Sequence, residues 1–285
     1  MASEYGLIES VDDSRGDKWE EIDVSDTEAD QIARQQDREF LEFQKRIKDA
    51  DQFKVSDAVF DDATFSALYK LVQDGYINAI GGPISTGKEA NVHEALGGDG
   101  DTVAVKIYRI NTSNFRQMQD YLEGDPRFEG ISNDTKKVVL AWVKKEFSNL
   151  ERALNAGVRV PEPIAVQRNV LVMEYLGTEQ NAAPKLHDVD LENPHVAFDV
   201  VKEYMRRLYD VGLIHGDLSE YNMVIQNDRI YFIDVGQAIT THHPNSDTFL
   251  QRDCENVATY FSRQGVDISA EELREFLEAE AQPTP

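Results

Sequence analysis

With 285 residues and 41% apolar content, the chain is long enough to bury a core as one large domain or as two lobes. A formal net charge of −24 and a pI of about 4.5 give a surface that repels phosphate backbones, which argues against direct, electrostatically driven or sequence-specific nucleic-acid binding. Its one cysteine, Cys254, excludes an internal disulfide and fits a reducing interior, and no apolar run is long enough to span a membrane.

The N-terminus, "MASEYGLIESVDDSRGDKWEE", lacks the basic start and apolar centre of a signal peptide, so a cytoplasmic location is expected. The acidic excess runs along the whole chain, as in a protein adapted to a salty cytoplasm or in an ordinary acidic one. Salt would screen it, which leaves an RNA-containing partner open. Residues 1–55 form an acidic extension, expected to be partly disordered, with a helix in "TEADQIARQQDREFLEFQKRIKD". In "DDATFSALYKLVQDG", Phe65, Leu68, Leu71 and Val72 fall at helical spacing between an Asp start and a stop at Gly75.

A β-rich section completes a first lobe over 56–176. "YINAIGG" and "ANVHEAL" flank a glycine-containing loop, and "GGDGD" turns into "TVAVKIYRI". The polar stretch from Arg109 to Asp134 allows only short helices. "TKKVVLAWVKKEFSNLERALNAG" is a long helix whose stripe is Val139, Trp142, Val143, Phe147, Leu150 and Leu154, ended by Gly157. "VRVPEPIAVQRNVLVMEYLG" reads as paired strands. The second lobe, 177–280, opens with the helix "PHVAFDVVKEYMRRLYDVG". "MVIQNDRIYFID" is a hairpin turning at Asn227-Asp228, and Ser269 with Glu272 caps a final helix before a tail at 281–285. The plan is α+β and two-lobed: a β-rich N-lobe with one long helix and a short, mostly helical C-lobe.

From Gly82 the sequence reads G-x-x-x-x-G-K, the start of a Walker A phosphate loop. That motif needs Ser or Thr after Lys88 and a helix beyond it. Here Glu89 follows, then "ANVHEALGGDGDTVAVKIY", which is a hairpin. Four separated pieces suit another arrangement better. A hairpin loop covers phosphates with backbone N–H groups, and Lys106 on the next strand reaches the α and β phosphates. Glu146 on the long helix holds Lys106 by an ion pair, read as an exposed cleft pair that contributes little stability. Finally, "HGDLSEYN" and "IDVGQ" supply Asp217, Asn222 and Asp234. In this order the parts resemble a protein-kinase-like fold, in which Asp217 accepts the proton of an attacking hydroxyl or water. Asn222 and Asp234 would chelate Mg²⁺ (or Mn²⁺) with the phosphates of ATP.

At "STGKEANV", "VAVKIYR", "KEFSNLERA", "MEYLG", "HGDLSEYN" and "YFIDVGQAI", the chain resembles the RIO family of atypical protein kinases, in particular its first subfamily. An archaeal member fits the acidic chain. The resemblance covers residues 60 to 265 or so, and implies ATP-dependent serine phosphorylation or ATP hydrolysis in maturation of the small ribosomal subunit. It places Ser85, Thr86, Gly87, Lys88 and Glu89 around the phosphates. Met173 would guard the adenine pocket, with the Glu174 carbonyl and the Leu176 N–H bonding adenine. It makes Asp234 an acceptor of the γ-phosphoryl group as well as a metal ligand; a plain Mg²⁺ ligand is the other reading. Gly216 stands where ordinary protein kinases carry an Arg that pairs with a phosphorylated activation loop. No A-P-E motif follows Asp234, so the fold is truncated relative to those kinases and the protein substrate stays unknown.

Two other functions are open at this level. A small-molecule phosphotransferase of the aminoglycoside or choline kinase type also carries an "IHGDL" pattern, but lacks the "STGKEA" loop. A nucleotide-sensing assembly factor would bind ATP without turnover, against which the intact Asp217, Asn222 and Asp234 stand. The long connection 109–134 exceeds ordinary loop length. It is expected near the cleft mouth, anchored by Tyr121 and Phe128, with Ser132, Ser113 and Thr112 as candidate autophosphorylation sites.

Overall fold

The computed structural model describes residues 38–42, 61–110, 115–122, 125, 128, 134–178 and 181–279. Thr112, Ser113 and Ser132 lie outside the described residues, as does most of the helix expected before residue 50. The chain divides into two compact units, 1–42 and 43–285. In the first, residues 38–42 are helical.

Helix α1 (Asp62–Gln73) starts where the Asp61 carboxylate accepts from the Thr64 N–H at 2.7 Å. It buries Phe65, Leu68 and Leu71 against a five-stranded antiparallel sheet. The strands are β1 (Ile77–Thr86), β2 (Ala90–Gly97), β3 (Thr102–Tyr108), β4 (Pro163–Gln167) and β5 (Val170–Glu174), in the order β1-β2-β3-β5-β4. Strand β1 outruns the expectation that it ends at Gly82: pairing with β2 carries it through Gly81-Gly82-Pro83 to Thr86, with register shifts on the way. An edge strand tolerates the missing proline N–H. The phosphate-type loop therefore shrinks to Gly87–Glu89, closed by a 2.9 Å bond from the Gly87 N–H to the Ala90 carbonyl.

Across β3 come α2 (Phe115–Leu122) and the long helix α3 (Thr135–Asn155), capped by Asp134. Within α2, Met118, Tyr121 and Leu122 are buried, and Phe128 beyond it packs on the same core, so the two expected anchors do anchor. The α3 stripe holds through Leu150 and fails at the last turn, where Leu154 is 37% exposed. A second line on the same helix, Lys145, Glu146 and Asn149, is buried although polar.

The other lobe is mostly helical: α4 (Pro194–Asp210), α5 (Ser246–Arg263) and α6 (Ala270–Glu278), the last with the expected Ser269/Glu272 capping box. Short strands β6 (Leu213–Ile214) and β9 (Ile239–Thr240) pair with each other. So do β7 (Met223–Gln226) and β8 (Arg229–Phe232), whose turn puts both Asn227 and Asp228 at positive φ. Cys254 is buried in the middle of α5. One apolar cluster joins Trp142 and Leu171 to Phe232, Ile239 and Phe261, so the lobes share a core. The short pairs β6/β9 and β7/β8 hold the segments 215–222 and 233–238 side by side: Ile233 donates its N–H to the Asn222 carbonyl at 3.0 Å.

Candidate active site

Lys106 lies on the central strand of the sheet, opposite Val92 on β2 and Leu171 on β5. Its Nζ donates to Glu146 Oε1 of α3 at 2.7 Å and also to Asp234 Oδ1. Tyr108, two residues further on the same strand face, donates its hydroxyl to Glu146 Oε2. The pair expected from the sequence is present, but its character is corrected. Lys106 is 7% and Glu146 1% exposed, because β3 is an interior strand and Glu146 lies on the buried face of α3. Burial disfavours the ammonium, yet Asp234 and Glu146 together raise the Lys106 pKa well above its ordinary value. Lys106 in turn lowers that of Asp234. Asp234 sits at φ 62°, ψ 42°, a left-handed conformation that few aspartates adopt, and its side chain is half exposed.

The second constellation is the segment 215–222. Asn222 donates through Nδ2 to the Asp217 carbonyl at 2.8 Å and to Asp217 Oδ2 at 3.2 Å. Burial pushes the Asp217 carboxyl above the usual carboxylate range, against the pull of Arg252 and Asn222. The loop is held from beneath by α5. Asp253 accepts from the Gly216 N–H at 2.7 Å and the Leu218 N–H at 2.8 Å, gripping the backbone on both sides of Asp217. Arg252 donates to the Gly216 carbonyl, and Asn256 to that of Leu218 at 3.0 Å. Burial takes Asp253 up to about 7 and His215 down to about 4; the His215 Nε2 is 3.0 Å from the Ile233 carbonyl. Gly216 sits at φ +79°, and a Cβ there would meet the Gln237 carbonyl at 2.9 Å, so the two loops touch where only glycine fits.

Between the lobes lies a cavity of about 360 Å³, lined by Ser85, Thr86, Gly87, Lys88, Glu89, Lys106 and Asp234, with Tyr108, Trp142 and Gln237. The structure thus brings the loop residues, the lysine and the aspartate around one space. It does not bring Glu146, Asp217, Asn222, Met173, Glu174 or Leu176 into that lining. Met173 pairs with Ala104 across β3, Glu174 donates its N–H to the Glu162 carbonyl at 2.8 Å, and the Leu176 carbonyl accepts from Ala183. Among the described residues no group of three or more His, Cys, Asp or Glu side chains could hold a metal by itself. The half-exposed Asp234 carboxylate and the amide oxygen of Asn222, whose Nδ2 is already committed to Asp217, still fit Mg²⁺. That ion takes one or two protein ligands and draws the rest from phosphates and water.

Sequence reasoning missed Tyr108, Lys145, Asn149, Arg252 and Asp253. The signal for two of them was at hand: "KKEFSNL" places Lys145 and Asn149 four apart, on one helix face beside Glu146. No helix among the described residues is long and apolar enough to cross a membrane.

Comparison with known proteins agrees with this geometry. The RIO domain description matches residues 91–274. The chain is 64% identical over 278 residues to the RIO-type serine/threonine-protein kinase Rio1 of Haloferax volcanii, spanning 97% of this chain and 96% of that protein. It is 37% identical over 255 residues to the Rio1 kinase of Methanocaldococcus jannaschii, spanning 89% and 87%. Among solved structures, the Rio2 kinase–ADP/Mg²⁺–phosphoaspartate complex of Chaetomium thermophilum superposes with a TM-score of 0.57 at 21% identity, covering 77% of this chain and 68% of that one. That likeness carries the two-lobed kinase-like fold. With the domain matched over most of its length and relatives this similar, the chain belongs to the RIO family of serine/threonine-protein kinases.

Proposed function

We propose that the cavity between the lobes binds ATP with Mg²⁺ (or Mn²⁺) and that the protein moves the γ-phosphoryl group to serine, to its own Asp234, or by way of Asp234 to water. The observation that carries this reading is Lys106, held at once by Glu146 and Asp234 on the wall of a cavity that the Gly87 loop also lines. Lys106 contacts the α and β phosphates, and the backbone N–H groups of 85–89 cover them. Met173, Glu174 and Leu176 form the adenine edge. Asn222 and Asp234 would hold the metal, which would neutralise charge developing on the phosphates. Asp217, kept in place by Asn222 and by the backbone grip of Asp253, accepts the proton of the attacking hydroxyl.

In the Asp234 branch a carboxylate oxygen attacks the γ phosphorus, the bond to the β-phosphate oxygen breaks, and ADP leaves. Water then attacks the acyl phosphorus and gives a proton to Asp217, the bond from phosphorus to the Asp234 oxygen breaks, and inorganic phosphate leaves, restoring the Asp234 carboxylate. The half exposure of Asp234 toward the cavity supports this branch, as does the phosphoaspartate named for the Rio2 structure. Maturation of the small ribosomal subunit is the process we assign, on the resemblance to RIO kinases. We also assign residues 1–55 as an N-terminal extension and place the lobe boundary near Leu176. The small-molecule phosphotransferase reading is not favoured, since the relatives matched along nearly the whole chain are protein kinases.

Incubation with γ-labelled ATP, alone and with precursor small subunits, tests the assignment. Label that survives acid but is released by base is phosphoserine; label released by hydroxylamine is acyl phosphate on Asp234. Asp217→Ala should abolish turnover and keep Mg-ATP binding, whereas Asp234→Ala should lose both. Equal loss of binding in the two variants would show the roles are misassigned.

A further inference from the structure

Glu146 has two buried polar neighbours on α3 that the phosphoryl-transfer scheme leaves unused. Lys145 is 0% exposed. Its Nζ donates to the Gly236 carbonyl at 2.8 Å and the Ala238 carbonyl at 2.6 Å, and lies 5.0 Å from the centre of the Trp142 ring. Asn149, one helical turn on and also fully buried, donates Nδ2 to the Val235 carbonyl at 2.9 Å and again to that of Ala238 at 3.1 Å. Three carbonyls of one short 3-10 turn, Val235–Gln237 with its cap, are therefore satisfied by two side chains of one helix. Trp142 closes the site from the same helix: a Cβ on Gly236 would meet its indole nitrogen at 3.0 Å.

We infer that Lys145 is a positioning residue for Asp234, clamping the backbone just after it so that its carboxylate faces the metal and phosphate site. The inference rests on the proposed role of Asp234. Asp234 is left-handed, a strained state for a residue with a Cβ, so its surroundings must hold it there. Burying an ammonium is unfavourable unless its donors are matched, and here at least two are met by carbonyls of this one turn. Finally, α3 grips the same aspartate from both ends. Glu146 sets Lys106, which bonds the carboxylate, while Lys145 and Asn149 bond the carbonyls that follow it. The helix and the metal-side turn thus form one body, and metal affinity depends on a residue that touches neither metal nor nucleotide.

Mn²⁺ binding to the ADP-loaded protein, read by electron paramagnetic resonance, tests this without relying on turnover. Lys145→Met keeps the apolar stem and removes the clamp. Its Mn²⁺ dissociation constant should rise at least tenfold, while ADP affinity measured without metal stays within twofold. Asn149→Ala, the gentler variant should Lys145→Met not fold, should raise it about threefold. In turnover assays both should demand more Mg²⁺ for half-maximal rate and recover most of kcat at saturating Mg²⁺. A folded variant of lower thermal stability with unchanged Mn²⁺ affinity would mean that Lys145 is merely structural, and would overturn the inference. Asp234→Asn, measured alongside, separates the two readings. If it binds Mn²⁺ like the parent, the site assignment itself fails; if it loses binding while Lys145→Met does not, only the clamp fails.

Discussion

Lys106 is a buried cation that the fold holds against two carboxylates, Glu146 and Asp234. Removing it as Lys106→Met leaves Glu146, 1% exposed, without its cation, and breaking a buried pair costs about 3–5 kcal/mol. Urea unfolding should show a loss of that order, and Lys106→Met combined with Glu146→Gln should recover at least half of it while turnover stays abolished. Asp253 makes a second, pH-dependent prediction. Its carboxyl is taken up to about 7 in the fold, so between the ordinary value near 4 and 7 the unfolded chain has lost a proton that the native chain keeps. Its contribution to stability is full below about 4 and is lost as pH rises through about 7. His215, depressed to about 4, acts in the opposite sense, losing its contribution as pH falls from about 6.5 toward 4. The difference in unfolding midpoint between the parent and Asp253→Asn should therefore drift across pH 4.5–7.5, with the parent's advantage shrinking as pH rises. A difference that stays flat would place the Asp253 pKa outside this window.

Elements show where sequence reasoning succeeds and where it stops. The helix α1, the α3 boundaries, the Asn227-Asp228 turn and the α6 capping box were legible because each is decided by residues a few positions apart. "HGDLSEYN" was legible for the same reason: Asp217 and Asn222 bond each other five residues apart. The extent of β1 was not, because a glycine pair and a proline read as a break until β2 supplies a partner. Lys145 and Asn149 showed a shared helix face but not their burial, and Asp253 showed neither, because their partners lie 35 to 93 residues away and a polar side chain's burial is set by what folds over it. The contact between the loops at Gly216 can be tested against a control in the same backbone state. Gly75 and Gly216 both sit at φ +79°, but nothing lies within 4 Å of a Cβ on Gly75. Gly75→Ala should cost about 1 kcal/mol by thermal unfolding and leave kcat unchanged. Gly216→Ala should add a tenfold or greater fall in kcat, as the Val235–Gln237 turn is pushed from the Asp217 loop.

At the scale of the whole molecule, a charge of −24 favours expansion in dilute buffer and is quieted by salt. The fold contains a means of following this. Cys254 is the sole thiol, it lies fully buried inside α5 next to the residue that grips the Asp217 loop, and its pKa is pushed up to about 12 by burial. A thiolate reagent reaches it only when the C-lobe opens. The wild-type chain is thus its own opening clock: a maleimide or disulfide dye should label it at a rate that slows as KCl is raised from millimolar to molar, and slows again on adding Mg-ATP. No cysteine needs to be introduced or removed, so the breathing of the half of the molecule that carries the Asp217 loop can be timed in the unaltered protein.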